Sequence, residues 1–137
     1  MAIIPSNVAN IGENVEIIKQ PTYTYYLDFT NNKIVRFTDG KEAMKQAIFM
    51  ILQTERYAFL IYDWNYGVEL EYLIGKSPLF VLSEIERRIT EALLQDDRIT
   101  SLSNFTVNQI NDNDFVISFT ANTTEGEVDI EGVNISV

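Results

Sequence analysis

Apolar residues recur at helical spacing in two stretches of this chain and alternate with polar residues in a third. In the first stretch Ala43, Met44, Ala47, Ile48, Ile51 and Leu52 return every three or four positions, which predicts a helix over about 40–53. Asp39 stands at its capping position with Glu42 three residues on, a capping-box-like start. Phe49 and Met50 widen the apolar stripe, so this helix is expected to be covered on more than one side. In the second stretch Ser77-Pro78 marks a helix start, because proline lacks a donor that the first turn would leave unpaired. Leu82, Ile85, Ile89, Ala92 and Leu93 then form one face of a helix over about 78–95. Glu84, Arg87, Arg88 and Glu91 take the other side, with Glu84 and Arg88 at the favourable i, i+4 spacing. Past Ile99 the period falls to two: Phe105 and Val107, then Phe115, Ile117 and Phe119, with Asn111 to Asp114 as the turn between them. A last strand carries Val128, Ile130, Val133, Ile135 and Val137 and is broken at Gly132, as a bulge or bend requires.

The rest of the pattern is less regular. Aromatic and β-branched residues flank Thr30-Asn31-Asn32-Lys33, predicting a hairpin with strands at about Tyr23 to Phe29 and Ile34 to Thr38. Tyr57 to Tyr62 is an unbroken apolar run, expected to be a buried strand or extended segment. Val68, Leu70 and Tyr72 alternate with Glu69 and Glu71, which fits a short half-buried strand or a helical turn. Residues 1–20 mix Asn, Gly, Pro and Ser with scattered Ile and Val and are expected to be an N-terminal arm. The fold class is therefore α+β: an N-terminal β-hairpin, two main helices and C-terminal antiparallel strands, in one domain over 21–137.

Composition narrows the function. At 137 residues with 46% apolar content, the chain has material for a core. Its 20 acids against 10 bases predict repulsion from nucleic acid and anionic membranes. Arg98 is the last cation; after it come six acids, while residues 1–98 carry 10 bases against 14 acids. With no Cys and no His, disulfides, thiol nucleophiles, the usual zinc ligands and the commonest general base are excluded. The N-terminus lacks the basic start and apolar stretch of a signal peptide, and no run approaches the roughly 20 apolar residues of a membrane span. A soluble, intracellular protein is the expectation.

Candidate chemistry is sparse. Glu69 and Glu71, on one face of a strand, would lie about 7 Å apart, near the spacing of an inverting glycosidase. Such a site needs one acid desolvated enough to stay protonated, whereas two acids on a polar face are normally solvated and ionised. The acids after residue 110 match no calcium loop, and the glycines are scattered singly rather than forming a phosphate loop, so neither metal nor cofactor is predicted. Trp64 with Tyr57, Tyr62 and Tyr66 is either core or an aromatic recognition patch. Glu55 and Arg56 follow the first helix, pointing to different partners. In Asp96-Asp97-Arg98 the arginine gains from the dipole of the second helix while the acids lose by it, a mild argument for an external cation near Asp96 or Asp97.

The order of these parts resembles the small baseplate wedge, or sheath-initiator, family of contractile phage tails, tailocins and type VI secretion systems. The likeness runs over about residues 23–120: the polar turn Leu52-Gln53-Thr54-Glu55-Arg56 after the first helix, Tyr66-Gly67, Leu70, Leu73-Ile74-Gly75, and a second helix leading into an acidic-x-Arg-Ile corner. Asp39-Gly40 with Ala43, Gln46 and Ile48 resembles the branch found in prophages and tailocins of Gram-positive bacteria. In the family that corner is Glu-Pro-Arg; here Asp96 stands for Glu, Asp97 replaces Pro, and Arg98 is kept. The resemblance implies a non-enzymatic structural subunit in six copies or a multiple around the tail axis. Its partners would be other baseplate wedge proteins, met through Asp96, Asp97 and Arg98 with Glu55 and Arg56, and tail sheath subunits, met through the C-terminal strands. It would be assembled in the bacterial cytoplasm and reside in the baseplate of a phage tail or tailocin. On this reading Arg98→Ala leaves the isolated fold intact and blocks baseplate assembly. The alternatives are a peptidoglycan glycosidase using Glu69 and Glu71, and an unrelated soluble adaptor; the older lysozyme-like label that some members of the family carry finds no support in these residues.

Overall fold

The computed structural model describes residues 21–137, and the expected arm lies outside them. Strands β1 (Thr24–Asp28) and β2 (Lys33–Thr38) form the antiparallel hairpin. Its turn is tied by the Asp28 carboxylate, which accepts the N–H groups of Thr30 and Asn31, while Asn32 adopts the left-handed backbone that asparagine tolerates. Helix α1 (Gly40–Leu52) follows, capped by the Asp39 carboxylate through Gly40 N–H at 2.8 Å. After a connection without long strands, Ser77 caps helix α2 (Pro78–Leu94), with proline at its first turn as expected.

Strands β3 (Ile99–Gln109), β4 (Asp114–Thr123) and β5 (Gly126–Ser136) form an antiparallel sheet in that order, so among the described residues β3 and β5 are its edges. One face of β4 buries Phe115, Ile117, Phe119 and Ala121, the period-two pattern in three dimensions. Against this face lie Met44, Ile48, Ile51 and Leu52 of α1 and Val81, Ile85, Ile89, Ala92 and Leu93 of α2. Helix α2 packs on β3 and α1 on β5. The break at Gly132 is a bulge: the residue has φ 66°, and the β4–β5 register shifts opposite it, between Ile117 and Phe119.

Helix α1 is covered on a second side by the hairpin. The Gln46 side chain donates to Tyr25 O at 2.8 Å and accepts from Leu27 N at 3.0 Å, supplying one edge of β1 with the bonds that a third strand would give. Phe49 meets Phe29 on the same side.

The segment between the helices corrects one expectation and decides between the alternatives of another. Tyr57 to Tyr62 is neither buried nor a strand: it is a run of turns in which Leu60 is fully exposed and Ile61 is 84% exposed. An apolar run carries no periodicity to say which way its side chains face. At 68–72 the structure has the helical turn rather than the strand. Val68 makes a single bridge to Glu55, and Glu71–Leu73 is a 3-10 turn that buries Leu73 completely. Burying that leucine contributes about 2 kcal/mol, comparable to the net contribution of the turn's own hydrogen bonds.

A braced corner and an exposed aromatic loop

At the junction of α2 and β3 the Asp96 carboxylate accepts two parallel bonds from the Arg98 guanidinium, from Nε at 2.9 Å and Nη2 at 2.7 Å. It also accepts Arg98 N–H at 3.0 Å, which closes the turn out of the helix. The third guanidinium nitrogen, Nη1, donates to Pro21 O at 3.1 Å, and Arg98 O accepts from Thr124 N at 2.9 Å. One residue thus ties together the end of α2, the lead-in to β1 and the β4–β5 turn. The side chains of Arg98 and Asp96 are 12% and 9% exposed. Burial alone would raise the Asp96 pKa, but the Arg98 side chain and N–H outweigh it and hold the carboxyl below its ordinary value. The cation that compensates Asp96 is therefore internal, and the expectation that Arg98→Ala leaves the isolated fold untouched is revised. Asp97, between them, is exposed.

Glu55 and Arg56, expected at a partner surface, both make ties within the chain. The Glu55 carboxylate accepts Leu70 N–H at 3.0 Å and Glu71 N–H at 3.1 Å, holding the first turn of the 3-10 element. Arg56 donates from Nε to Gly67 O and from Nη1 to Glu91 Oε1, both at 3.3 Å, and its side chain is buried. Gly67 completes the clamp. At φ 100° it lies so close to the 54–56 turn that a Cβ would come within 2.7 Å of Thr54 O. This explains why glycine follows the aromatic at Tyr66-Gly67. Arg88, assigned to the polar side of α2, is turned inward: Nη1 donates to Glu69 O at 3.1 Å, and the guanidinium lies over the Tyr72 ring.

The glycosidase geometry fails at its premise, because Glu69 and Glu71 share no strand face. Glu69 lies 3.8 Å from Arg88, and Glu71 belongs to the 3-10 turn. Among the described residues, no group of three or more Asp or Glu side chains is arranged to hold a metal ion.

The surface beside the corner decides between core and recognition patch for Tyr57 and Trp64, and adds residues of a run expected to be buried. Tyr57, Phe59, Leu60, Ile61 and Trp64 are all exposed, Trp64 at 80%, whereas Tyr62 and Tyr66 stack on each other at 4.3 Å and anchor the loop. Burial raises the Tyr66 pKa, and the neighbouring Tyr62 and Asp96 add to the shift. A cleft of about 280 Å³ joins this loop to the corner, lined by Asp63, Asn65 and Tyr66 on one side and Gln95, Asp96 and Arg98 on the other.

A corner that joins two packed helices to a sheet with two edges open among the described residues, together with the Thr54/Gly67 clamp, is the arrangement that the motif order implied. Residues 21–126 match the contractile injection system sheath initiators. The chain belongs to that family. Over 138 residues this sheath initiator is 37% identical to the phage-like element PBSX protein XkdS of Bacillus subtilis (strain 168), covering 97% of this chain and 96% of that protein. The likeness to the Gram-positive prophage branch is borne out by that relative. The sheath initiator is thus a structural component of a contractile injection system, and among the described residues no helix is long and apolar enough to cross a membrane.

Proposed function

We propose that the chain is a baseplate wedge subunit that joins the wedge helical bundle to the first sheath ring and templates sheath assembly, in six copies or a multiple around the tail axis. The observation that carries this is the division of the molecule at Arg98. On one side lie the helices, the Glu55/Arg56 clamp and the braced Asp96-Asp97-Arg98 corner. On the other lies a sheet whose two outer strands, β3 and β5, each have an edge that no strand of the described residues pairs with. An open edge accepts a further strand through main-chain hydrogen bonds. Along β5 the exposed Glu127, Asp129 and Glu131 discourage pairing between two copies of this chain, so the edge stays available for a sheath strand. The corner faces the wedge, with Asp97 at its exposed tip and Arg98 holding the backbone. No catalytic step is assigned to it, and the site of action is the baseplate of a phage tail or tailocin assembled in the bacterial cytoplasm.

The test is tail assembly with Asp97→Lys, which reverses the exposed charge and leaves the fork in place. Folded protein at the wild-type level with tails lacking both the chain and the sheath is expected. Normal sheathed tails would remove the corner from the wedge interface.

A further inference from the structure

The loop over residues 57–64 presents Tyr57, Phe59, Leu60, Ile61 and Trp64 to solvent, a concentration of apolar surface that an isolated protein rarely leaves open. Its scaffold is firm: Tyr62 stacks on Tyr66, Phe59 meets Tyr62 edge-on, and the Gly67 clamp fixes its exit. The surroundings are acidic. Between Glu55 and Lys76 the exposed acids are Asp63 and Glu71 and the exposed base is Lys76, while Glu69 faces Arg88 and, in the cleft, Asp96 is held by Arg98. The two arginines that border the loop are turned inward, Arg56 onto Glu91 and Arg98 onto Asp96. What the loop shows a partner is therefore an apolar crest with a negative rim.

That charge decides among occupants. A second copy would bring the same acids against each other, and an anionic membrane would be repelled by them. The geometry points to a protein partner with an apolar groove edged by Lys or Arg, into which Leu60, Ile61 and Trp64 insert. This rests on the wedge-facing assignment of the corner, since loop and corner share one cleft, and it adds the chemistry of the partner's surface. Buried aromatic and aliphatic anchors within a polar rim are the arrangement that concentrates binding energy.

Trp64 is the chain's single tryptophan, so its emission reports the loop directly. The probe is a helical amphipathic peptide of Leu and Lys, compared with its Leu and Glu counterpart. The Lys peptide is expected to shift Trp64 emission to the blue and the Glu peptide to leave it unchanged. Leu60→Asp/Ile61→Asp should weaken the Lys peptide by about tenfold or more, as loss of two apolar anchors requires. Because that variant is more negative, attraction by charge alone would instead strengthen, and that outcome would overturn the proposal. So would a blue shift on phosphatidylglycerol vesicles, or a dimer in sedimentation that the variant abolishes. Tails that incorporate the variant at the wild-type level would overturn the loop's role and leave the corner assignment standing. Absence of the wild-type chain from tails would overturn both.

Discussion

Arg98→Ala removes three hydrogen bonds at once: the two to Asp96 at 2.9 and 2.7 Å and the one to Pro21 O at 3.1 Å. A fully buried ion pair broken on one side costs about 3–5 kcal/mol, and an exposed one about 0–1. This pair lies between those limits. Its side chains are about nine-tenths covered, yet the corner borders an open cleft, and Asp96 keeps the Arg98 N–H at 3.0 Å. A loss of about 2–3 kcal/mol follows, equivalent to roughly 8 °C in Tm for a chain of this size. Urea unfolding followed by circular dichroism measures it, and a double-mutant cycle with Asp96→Ala should return a coupling of about 1.5 kcal/mol or more. A single-variant loss below about 0.5 kcal/mol, with no coupling, would refute the claim that the fork braces the corner. The result also bears on assembly experiments, because a failed tail from Arg98→Ala mixes lost contact with lost stability.

The other predictions concern the same junction. Gly67→Ala, whose Cβ would meet Thr54 O at 2.7 Å, should cost at least about 2 kcal/mol by thermal denaturation, against about 1 for Gly75→Ala, where nothing lies within 4 Å. Leu73→Ala, fully buried on the 3-10 turn, should cost about 3 kcal/mol, and a loss under about 1 would deny that this turn seals the core. Asp96 has a lowered pKa in the folded state, so its contribution is complete above its unfolded value of about 4 and is lost as pH falls through the folded one. The stability gap between wild type and Asp96→Asn should therefore be flat from pH 7 to pH 5 and close below about pH 4. A gap that changed between pH 7 and pH 5 would point to another group.

The regular elements were legible because each shows its period over enough residues. The α2 face from Leu82 to Leu93 and the β4 alternation from Phe115 to Phe119 leave little choice of geometry, and Ser77-Pro78 and Gly132 mark a boundary and a bulge by local backbone chemistry. The connection over 53–76 was not legible, because its order comes from contacts distant in sequence. Glu55 holds Leu70, Arg56 reaches Glu91, and Arg88 reaches Glu69. No periodicity records such ties. For the same reason Arg98 looked like a lone helix-end charge, although its acceptors are Asp96, two residues away, and Pro21 at the start of the described chain. The aromatic residues were ambiguous in kind: Tyr66 packs against the core while Trp64, two positions earlier, is exposed, and nothing in residue type separates them.

The most direct test of the central claim is a cryo-EM reconstruction of a tail baseplate containing this chain. Six copies, or a multiple, are expected at the junction of wedge and sheath, with Asp96-Asp97-Arg98 against wedge helices and an added sheath strand along β3 or β5. A chain placed elsewhere in the tail, or one whose sheet edges meet no sheath strand, would contradict it.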